Sequence, residues 1–166
     1  MQTGELMSVR EYLSTSFRPD CDYVDGEVVE RNMGERDHSR LQAAIIVYFY
    51  ARCKEWGIEV FPEQRVQVAP TRFRVPDVCV ILAGSAPEQI FTTPPFICIE
   101  ILSRDDRLTG MQERVKDYLA FGVPHVWILN PQSRSAWRST AEGMFETQEL
   151  RTEKPDILLP LAALFE

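Results

Sequence analysis

The chain has 166 residues, of which 45% are hydrophobic and 26% charged; this composition is typical of one soluble globular domain and excludes a long disordered tract. Its formal net charge of −7 excludes a general electrostatic attraction to nucleic acid or to an anionic membrane, so any contact with nucleic acid must be local. The four cysteines form no Cys-x-x-Cys pair and no apolar run is long enough to span a membrane, so we expect a cytoplasmic protein with reduced thiols and no zinc finger.

The N-terminal third of the chain predicts two helices and a hairpin. A short helix is expected at residues 8–13, where a Ser-x-x-Glu capping box begins it. Residues 22–30 are typical of a hairpin, because an Asp-Gly pair supplies the positive φ angles of a tight turn. The main helix is expected from residue 37 or 39 to about residue 56, where Gly57 ends it. Its wide apolar arc predicts packing against a sheet.

Strand patterns follow the main helix. Residues 58–69 alternate between apolar and polar side chains, and with residues 72–82 they are expected to form a hairpin. A loop rich in proline, threonine and serine then leads into an apolar strand at residues 96–103.

The last third predicts a crossover and a meander. A helix at residues 108–121 and an apolar strand at 123–129 complete a strand–helix–strand unit, which places the end of the preceding strand where α/β sheets bind ligands. Residues 134–150 are typical of a meander at the sheet edge, and an apolar tail must dock on the body. We therefore expect one α/β (α+β) domain over residues 1–166.

Two carboxylates interrupt the strand patterns. Asp77 opens a run of five apolar residues, and Glu100 stands inside an otherwise apolar strand. An uncompensated charge in such a strand costs several kcal/mol, so each acid needs a partner. One shared cation would satisfy both, and hard carboxylate oxygens suit Mg²⁺ or Mn²⁺.

The helical phase of the segment after Glu100 indicates which of its basic residues can reach the two acids. Its expected buried positions are Leu108, Met111, Val115, Tyr118 and Leu119. We set Met111 at 0° and count about 100° per residue around the helix axis. The buried stripe then centres near 20°, Arg114 lies near −60° and Lys116 lies at about 140°. Arg114 therefore flanks the buried stripe and is predicted to reach the acids, whereas Lys116 points to solvent.

Five motifs in this order resemble the Uma-two family of the restriction-endonuclease-like superfamily, over nearly the whole chain. They are Tyr23-Val-Asp25-Gly26-Glu27, His38 before a helix, Val75-Pro76-Asp77-Val78, Ile99-Glu100-Ile-Leu-Ser103 and Tyr118-x-x-x-Gly122-Val-Pro-x-x-Trp127-Ile-Leu-x-Pro131. The resemblance implies a mixed sheet flanked by helices, with an N-terminal hairpin and a C-terminal meander. It also implies a metal-dependent DNA endonuclease in which Asp77 and Glu100, with the Ile101 carbonyl, bind Mg²⁺ or Mn²⁺.

The chain departs from the pattern that the resemblance implies. The superfamily's usual lysine position, two residues after the second acid, is Leu102, and the position expected for the Uma-two lysine is Arg114. An arginine clamps phosphate or stabilises a transition state, but it does not act as a general base. A second hypothesis is therefore a nuclease fold without catalysis that serves as a nucleic-acid-binding or assembly module.

Each of these candidate residues also has a purely structural interpretation. Glu27 is either a third acidic ligand or a solvated turn residue, and His38 either lies near the phosphate or only donates to the first helical turn. Asp77 could bond turn amides, and Glu100 could pair with a buried arginine such as Arg74.

The expected partner is DNA, through local contacts of Arg74, Arg104 and Arg107. A homodimer is expected by analogy, because cutting a duplex needs two sites. A third hypothesis, an enzyme acting on another phosphorylated substrate, lacks a glycine-rich phosphate loop in the sequence.

Overall fold

A computed structural model describes residues 5–165. The helices of this part are α1 Val9–Ser14, α2 Arg36–Tyr50, α3 Cys53–Trp56, α4 Leu108–Phe121 and a 3-10 turn at Leu161–Ala163. The strands are β1 Asp22–Val24, β2 Glu27–Val29, β3 Ile58–Pro62, β4 Val66–Ala69, β5 Arg72–Arg74, β6 Val78–Leu82, β7 Ile97–Ile101, β8 His125–Asn130, β9 Ser135–Thr140, β10 Gly143–Thr147, β11 Glu149–Thr152 and β12 Ile157–Pro160. None of the helices in the described part is long and apolar enough to cross a membrane.

The strands form three sheets, which confirms the mixed α+β class. The central sheet has six strands in the order β10-β9-β8-β7-β6-β3, and a four-stranded sheet has the order β2-β1-β5-β4. A third, two-stranded sheet joins β11 to β12. Within the central sheet β7 and β8 are parallel and α4 connects them, whereas the other neighbours are antiparallel. The carboxyl ends of β7 and β8 therefore lie at the same edge of the sheet.

The central sheet lies between α2 and α4 because its strands are apolar on both faces. Successive residues of a strand face opposite sides, so Ile99 joins the core that contains Phe49 of α2, while Cys98 joins the core that contains Tyr118 of α4. Glu100 follows the same alternation and faces α4.

The predicted turns and caps are confirmed. Ser8 and Glu11 form a complete capping box at α1. The β1–β2 turn holds Asp25 and Gly26 at φ angles of 50° and 100°. The main helix, however, ends at Tyr50, and the separate helix α3 begins at Cys53. The prediction of one continuous helix to about residue 56 is therefore wrong at residues 51–52, where the helix is interrupted.

The predicted hairpin of residues 58–69 and 72–82 is divided between two sheets. The outer parts pair as β3 and β6 in the central sheet, whereas the inner parts pair as β4 and β5 in the four-stranded sheet. Each arm bends near a proline, because Pro62 and Pro76 have no N–H to donate to a continuing ladder. As a result Asp77 lies at the junction of the two sheets, directly before β6.

Two smaller expectations also need correction. Leu108 was expected in the buried stripe, but it is 67% exposed because it is the first residue of α4, beside an exposed loop. The last arm of the predicted meander breaks at Gln148, and its continuation, β11, pairs with the C-terminal strand β12 instead. This pairing docks the apolar tail on the α2 side of the core.

Candidate active site

Asp77 lies beside Glu100 at the junction of the sheets. Val78 pairs with Ile99 in the antiparallel ladder of β6 and β7, so the next position along each strand brings Asp77 opposite Glu100. The Ile101 N–H donates to Oδ2 of Asp77 at 2.7 Å. Both acids are buried, with 3% and 1% of their surfaces exposed.

Two basic side chains contact the other oxygen of Asp77. Arg31 Nη2 donates to Oδ1 at 2.8 Å, and His38 Nε2 lies 3.3 Å from the same oxygen without good hydrogen-bond alignment. Burial opposes ionisation of Asp77, but His38, Arg31 and the Ile101 N–H outweigh it and lower the pKa of Asp77. Burial also opposes protonation of His38, yet the attraction of Asp77 raises the pKa of His38 above its usual value.

The pKa of Glu100 is shifted in the opposite direction from the pKa of Asp77. The Tyr118 hydroxyl donates to Oε1 at 2.6 Å, and Arg114 Nη1 lies 3.7 Å from Oε2. Burial raises the pKa of Glu100 to about 8, with Arg114 opposing the rise and Asp77 adding to it. Two neighbouring acids whose pKa values move apart are a common arrangement in active sites.

Asp22 of β1 is the third buried carboxylate of this cluster. Its Oδ1 accepts from the Val75 N–H at 2.9 Å, and its Oδ2 accepts from Arg74 Nη1 at 3.2 Å. Arg31 Nε lies 4.0 Å from Asp22 Oδ1, so Arg31 links Asp22 to Asp77.

Sequence reasoning missed Arg31 and Asp22. Arg31 stands in a polar stretch, and its partner Asp77 is 46 positions away, so no local pattern marks it. Asp22 is the first residue of a strand in which Tyr23 is buried, and its contact with the Val75 N–H depends on how two sheets meet.

The structure brings some of the predicted site residues together and leaves others outside. His38, in the first turn of α2, reaches Asp77 as described, whereas Glu27 is exposed on β2 and lines a cavity next to the cluster. Arg114 has a side chain only 13% exposed and reaches both Glu100 and Asp106, and Lys116 points to solvent. The angular argument therefore selected the correct residue of α4 as the neighbour of Glu100.

The expected DNA contact of Arg74 is wrong. Its guanidinium is buried between Asp22 and Asp117, at 3.2 and 2.8 Å, and therefore cannot reach a phosphate on the surface. Arg74 is also not the partner of Glu100, which pairs with Arg114. Arg104 and Arg107 are exposed after β7, where contact with a substrate is sterically open.

The donor chemistry of the cluster fits a divalent cation. Among residues 5–165, no group of three or more His, Cys, Asp or Glu side chains is arranged to hold a metal ion. The Asp77 and Glu100 carboxylates nevertheless offer hard oxygen donors, and burial, which raises the pKa of Glu100, would be offset by a bound cation. Arg31 is the cation on Asp77 Oδ1, so a metal ion would have to displace its guanidinium.

Comparisons with known proteins identify the family and the fold of the chain. Residues 10–165 match the Uma2 family, described as "Putative restriction endonuclease". A crystal structure described as a putative nuclease belonging to DUF820, from Anabaena variabilis, superposes with a TM-score of 0.81 at 20% identity, covering 96% of this chain and 97% of that chain. No curated protein matches the sequence. Restriction-endonuclease-like families generally use divalent metals. The chain belongs to the Uma2 family, the same Uma-two family that its motifs resemble.

Proposed function

We propose that the chain is a divalent-metal-dependent endonuclease that hydrolyses phosphodiester bonds of DNA. The observation that carries this proposal is the meeting of Asp77 and Glu100 at the junction of two sheets, both buried and with pKa values shifted in opposite directions. The family match and the nuclease fold support it. Asp77, Glu100 and the Ile101 carbonyl would hold Mg²⁺ or Mn²⁺.

The residues of the cluster orient these ligands. The Ile101 N–H fixes one oxygen of Asp77 and the Tyr118 hydroxyl fixes one oxygen of Glu100. The second oxygen of Glu100 faces Arg114, and the second oxygen of Asp77 would reach a cation once the Arg31 guanidinium is displaced. When bound, a divalent cation supplies polarisation of the scissile phosphate and stabilises charge on the leaving oxygen. Arg114 next to Glu100 serves as a phosphate clamp rather than as a base.

A second candidate function is a nuclease fold without catalysis that binds nucleic acid. Two observations favour it: an arginine stands where the family's lysine is expected, and Arg31 already neutralises Asp77 without a metal ion. The two functions differ in one measurable property. The second allows binding of DNA and of a metal ion, but no cleavage.

Nicking of supercoiled plasmid by the purified chain in Mg²⁺ or Mn²⁺ tests the first function. The Asp77→Asn chain should lose nicking, and Glu100→Gln provides a second variant in case the first fails to fold. Asp105→Asn, at an exposed acid of the neighbouring loop, is the matched control and should nick normally. Nicking by Asp77→Asn at the wild-type rate would refute the proposal.

The same assay reports on the proposed homodimer. Linear product formed in one binding event indicates that two copies of the chain act on opposite strands, and light scattering should then give twice the mass of the chain. Nicked circles alone, from a chain of monomer mass, would contradict the dimer.

A further inference from the structure

We propose that a cavity of about 570 Å³ at the carboxyl ends of β7 and β8 binds the phosphate backbone of DNA. This inference rests on the proposed nuclease function and names the surface that holds the substrate. Three arginines line the cavity, Arg40, Arg104 and Arg134, together with Asp37 and Gln132. We call these three residues the arginine triad.

The arginine triad comes from three elements that meet at one edge of the central sheet. Arg40 lies on the exposed side of α2, in the first half of the helix. Arg104 follows β7 and its Glu100, and Arg134 lies in the turn after β8. Because β7 and β8 are parallel, the segments that follow them leave the sheet at the same edge. The triad therefore lies where the chain leaves β7, four positions after Glu100 at Arg104, although its members are far apart in sequence.

The guanidinium groups of the triad have unused hydrogen-bonding capacity. Within the described chain, no carboxylate lies within 4.0 Å of Arg40 or Arg134. Arg104 has Glu35 at 3.8 Å, but their side chains are 74% and 41% exposed, and such pairs are weak in water. A guanidinium offers several N–H donors in a planar fork that matches phosphate oxygens, so three of them suit a chain of phosphates.

Arg134 lies in a hydrogen-bonded turn, and its guanidinium is near an aromatic ring. Its backbone has a φ of 53°, which residues with side chains seldom adopt, and the Asn130 side chain accepts the N–H groups of Gln132 and Ser133 in the same turn. The guanidinium also lies 5.6 Å from the ring centre of Phe165, which lines the cavity.

A second opening beside the site has the opposite charge. This cavity, of about 430 Å³, is lined by six acidic and three basic residues, and two of those basic residues, Arg74 and Arg114, already pair with acids of the cluster. Among residues 5–165, the arginine-triad cavity is lined by three basic residues and one acidic residue. On a chain with a net charge of −7, this difference selects the side from which a polyanion approaches.

Binding of a short fluorescent DNA duplex in EDTA tests the arginine triad without hydrolysis. Each of three single variants should weaken binding by about fivefold and should make the slope of log K against log salt less negative by about 0.9: Arg40→Gln, Arg104→Gln and Arg134→Gln. Arg10→Gln is the matched control, because it removes the same charge from an exposed arginine of α1 that does not line the cavity. Its affinity and slope should equal those of the wild type.

Three results would overturn the inference: wild-type affinity in the triad variants, an equal loss in Arg10→Gln, or no duplex binding by the wild-type chain. Plasmid cleavage separates this failure from failure of the proposed function. A chain that cuts DNA while its triad variants bind normally remains a nuclease without this subsite. A chain that binds through the triad but never cuts retains the subsite and loses the nuclease proposal.

Discussion

The two faces of the central sheet are built from the same strands but differ in chemistry. The face toward α2 is apolar, with Ile99, Trp127 and Phe49 at most 1% exposed. The face toward α4 carries Glu100 and, at its edge, a cluster of buried acids and arginines. Burying charged groups costs more free energy than burying apolar groups of the same size, even when the charges are paired. The comparison therefore separates residues that stabilise the fold from residues that are retained for a site.

The largest expected effect is on the α2 face. Phe49→Ala removes a ring that is 0% exposed, so it should lower the free energy of unfolding by about 3–5 kcal/mol. Urea denaturation measures the loss. The neighbouring Tyr50→Ala, at a side chain 74% exposed, should change the free energy of unfolding by less than about 0.5 kcal/mol. If both variants lowered the free energy of unfolding by the same small amount, the α2 face would not stabilise the fold.

The next effect concerns Arg31 at the charged edge. Arg31→Met leaves Asp22 and Asp77 without their shared cation, so it should lower the free energy of unfolding by about 3 kcal/mol in EDTA. Mn²⁺ should raise the melting temperature of this variant more than that of the wild type, because the ion need not displace a guanidinium. Arg10→Met, at an exposed arginine of α1, is the control. A variant as stable as the wild type would contradict the role of Arg31.

Glu100→Gln should produce a smaller effect that depends on pH. Between a pH near the unfolded value of 4.5 and the folded pKa of about 8, folded wild-type protein binds one more proton than the unfolded chain. Its stability therefore falls as pH rises through this window, whereas the glutamine variant lacks this dependence. In EDTA, the melting temperature of Glu100→Gln relative to wild type should rise steadily from pH 5 to 8 and level off above 8. A difference in melting temperature that does not change with pH is expected for the exposed Glu142→Gln. The same result for Glu100→Gln would contradict the raised pKa of Glu100.

The smallest expected effect is at Glu27. Its side chain is exposed beside the cluster, and Asp22 supplies the third buried carboxylate instead. Glu27→Gln should therefore keep plasmid nicking within about twofold of the wild type and change the free energy of unfolding by less than about 0.5 kcal/mol. A loss of nicking as large as that of Asp77→Asn would instead make Glu27 a ligand.

The fold was largely predictable because its signals are local. The capping box of α1, the Asp25-Gly26 turn and the apolar strand around Glu100 each depend on residues close together in sequence. The helical phase of α4 likewise identified Arg114 as the neighbour of Glu100. The division of the hairpin was not predicted, because alternation of side chains continues across the bend at Pro62 and does not report which sheet a strand joins.

The charged cluster was predictable only in part, because its contacts cross between sheets. Asp77 and Glu100 stand out as acids in apolar strands, but Arg31 has no periodic neighbours and acquires its role only when residues 46 positions apart meet. Arg74 was predicted either to contact DNA or to pair with Glu100 in the core, and both predictions are wrong for the same reason. Its partners Asp22 and Asp117 lie on other elements, and an arginine without local partners is usually exposed.

A Mn²⁺ soak of crystals with anomalous scattering tests the central claim most directly. The account predicts an anomalous peak about 2.2 Å from oxygens of both Asp77 and Glu100, with the Arg31 guanidinium moved away from Asp77. Arg31 remaining on Asp77, with no peak between the two carboxylates at a Mn²⁺ concentration that fills other sites, would contradict it.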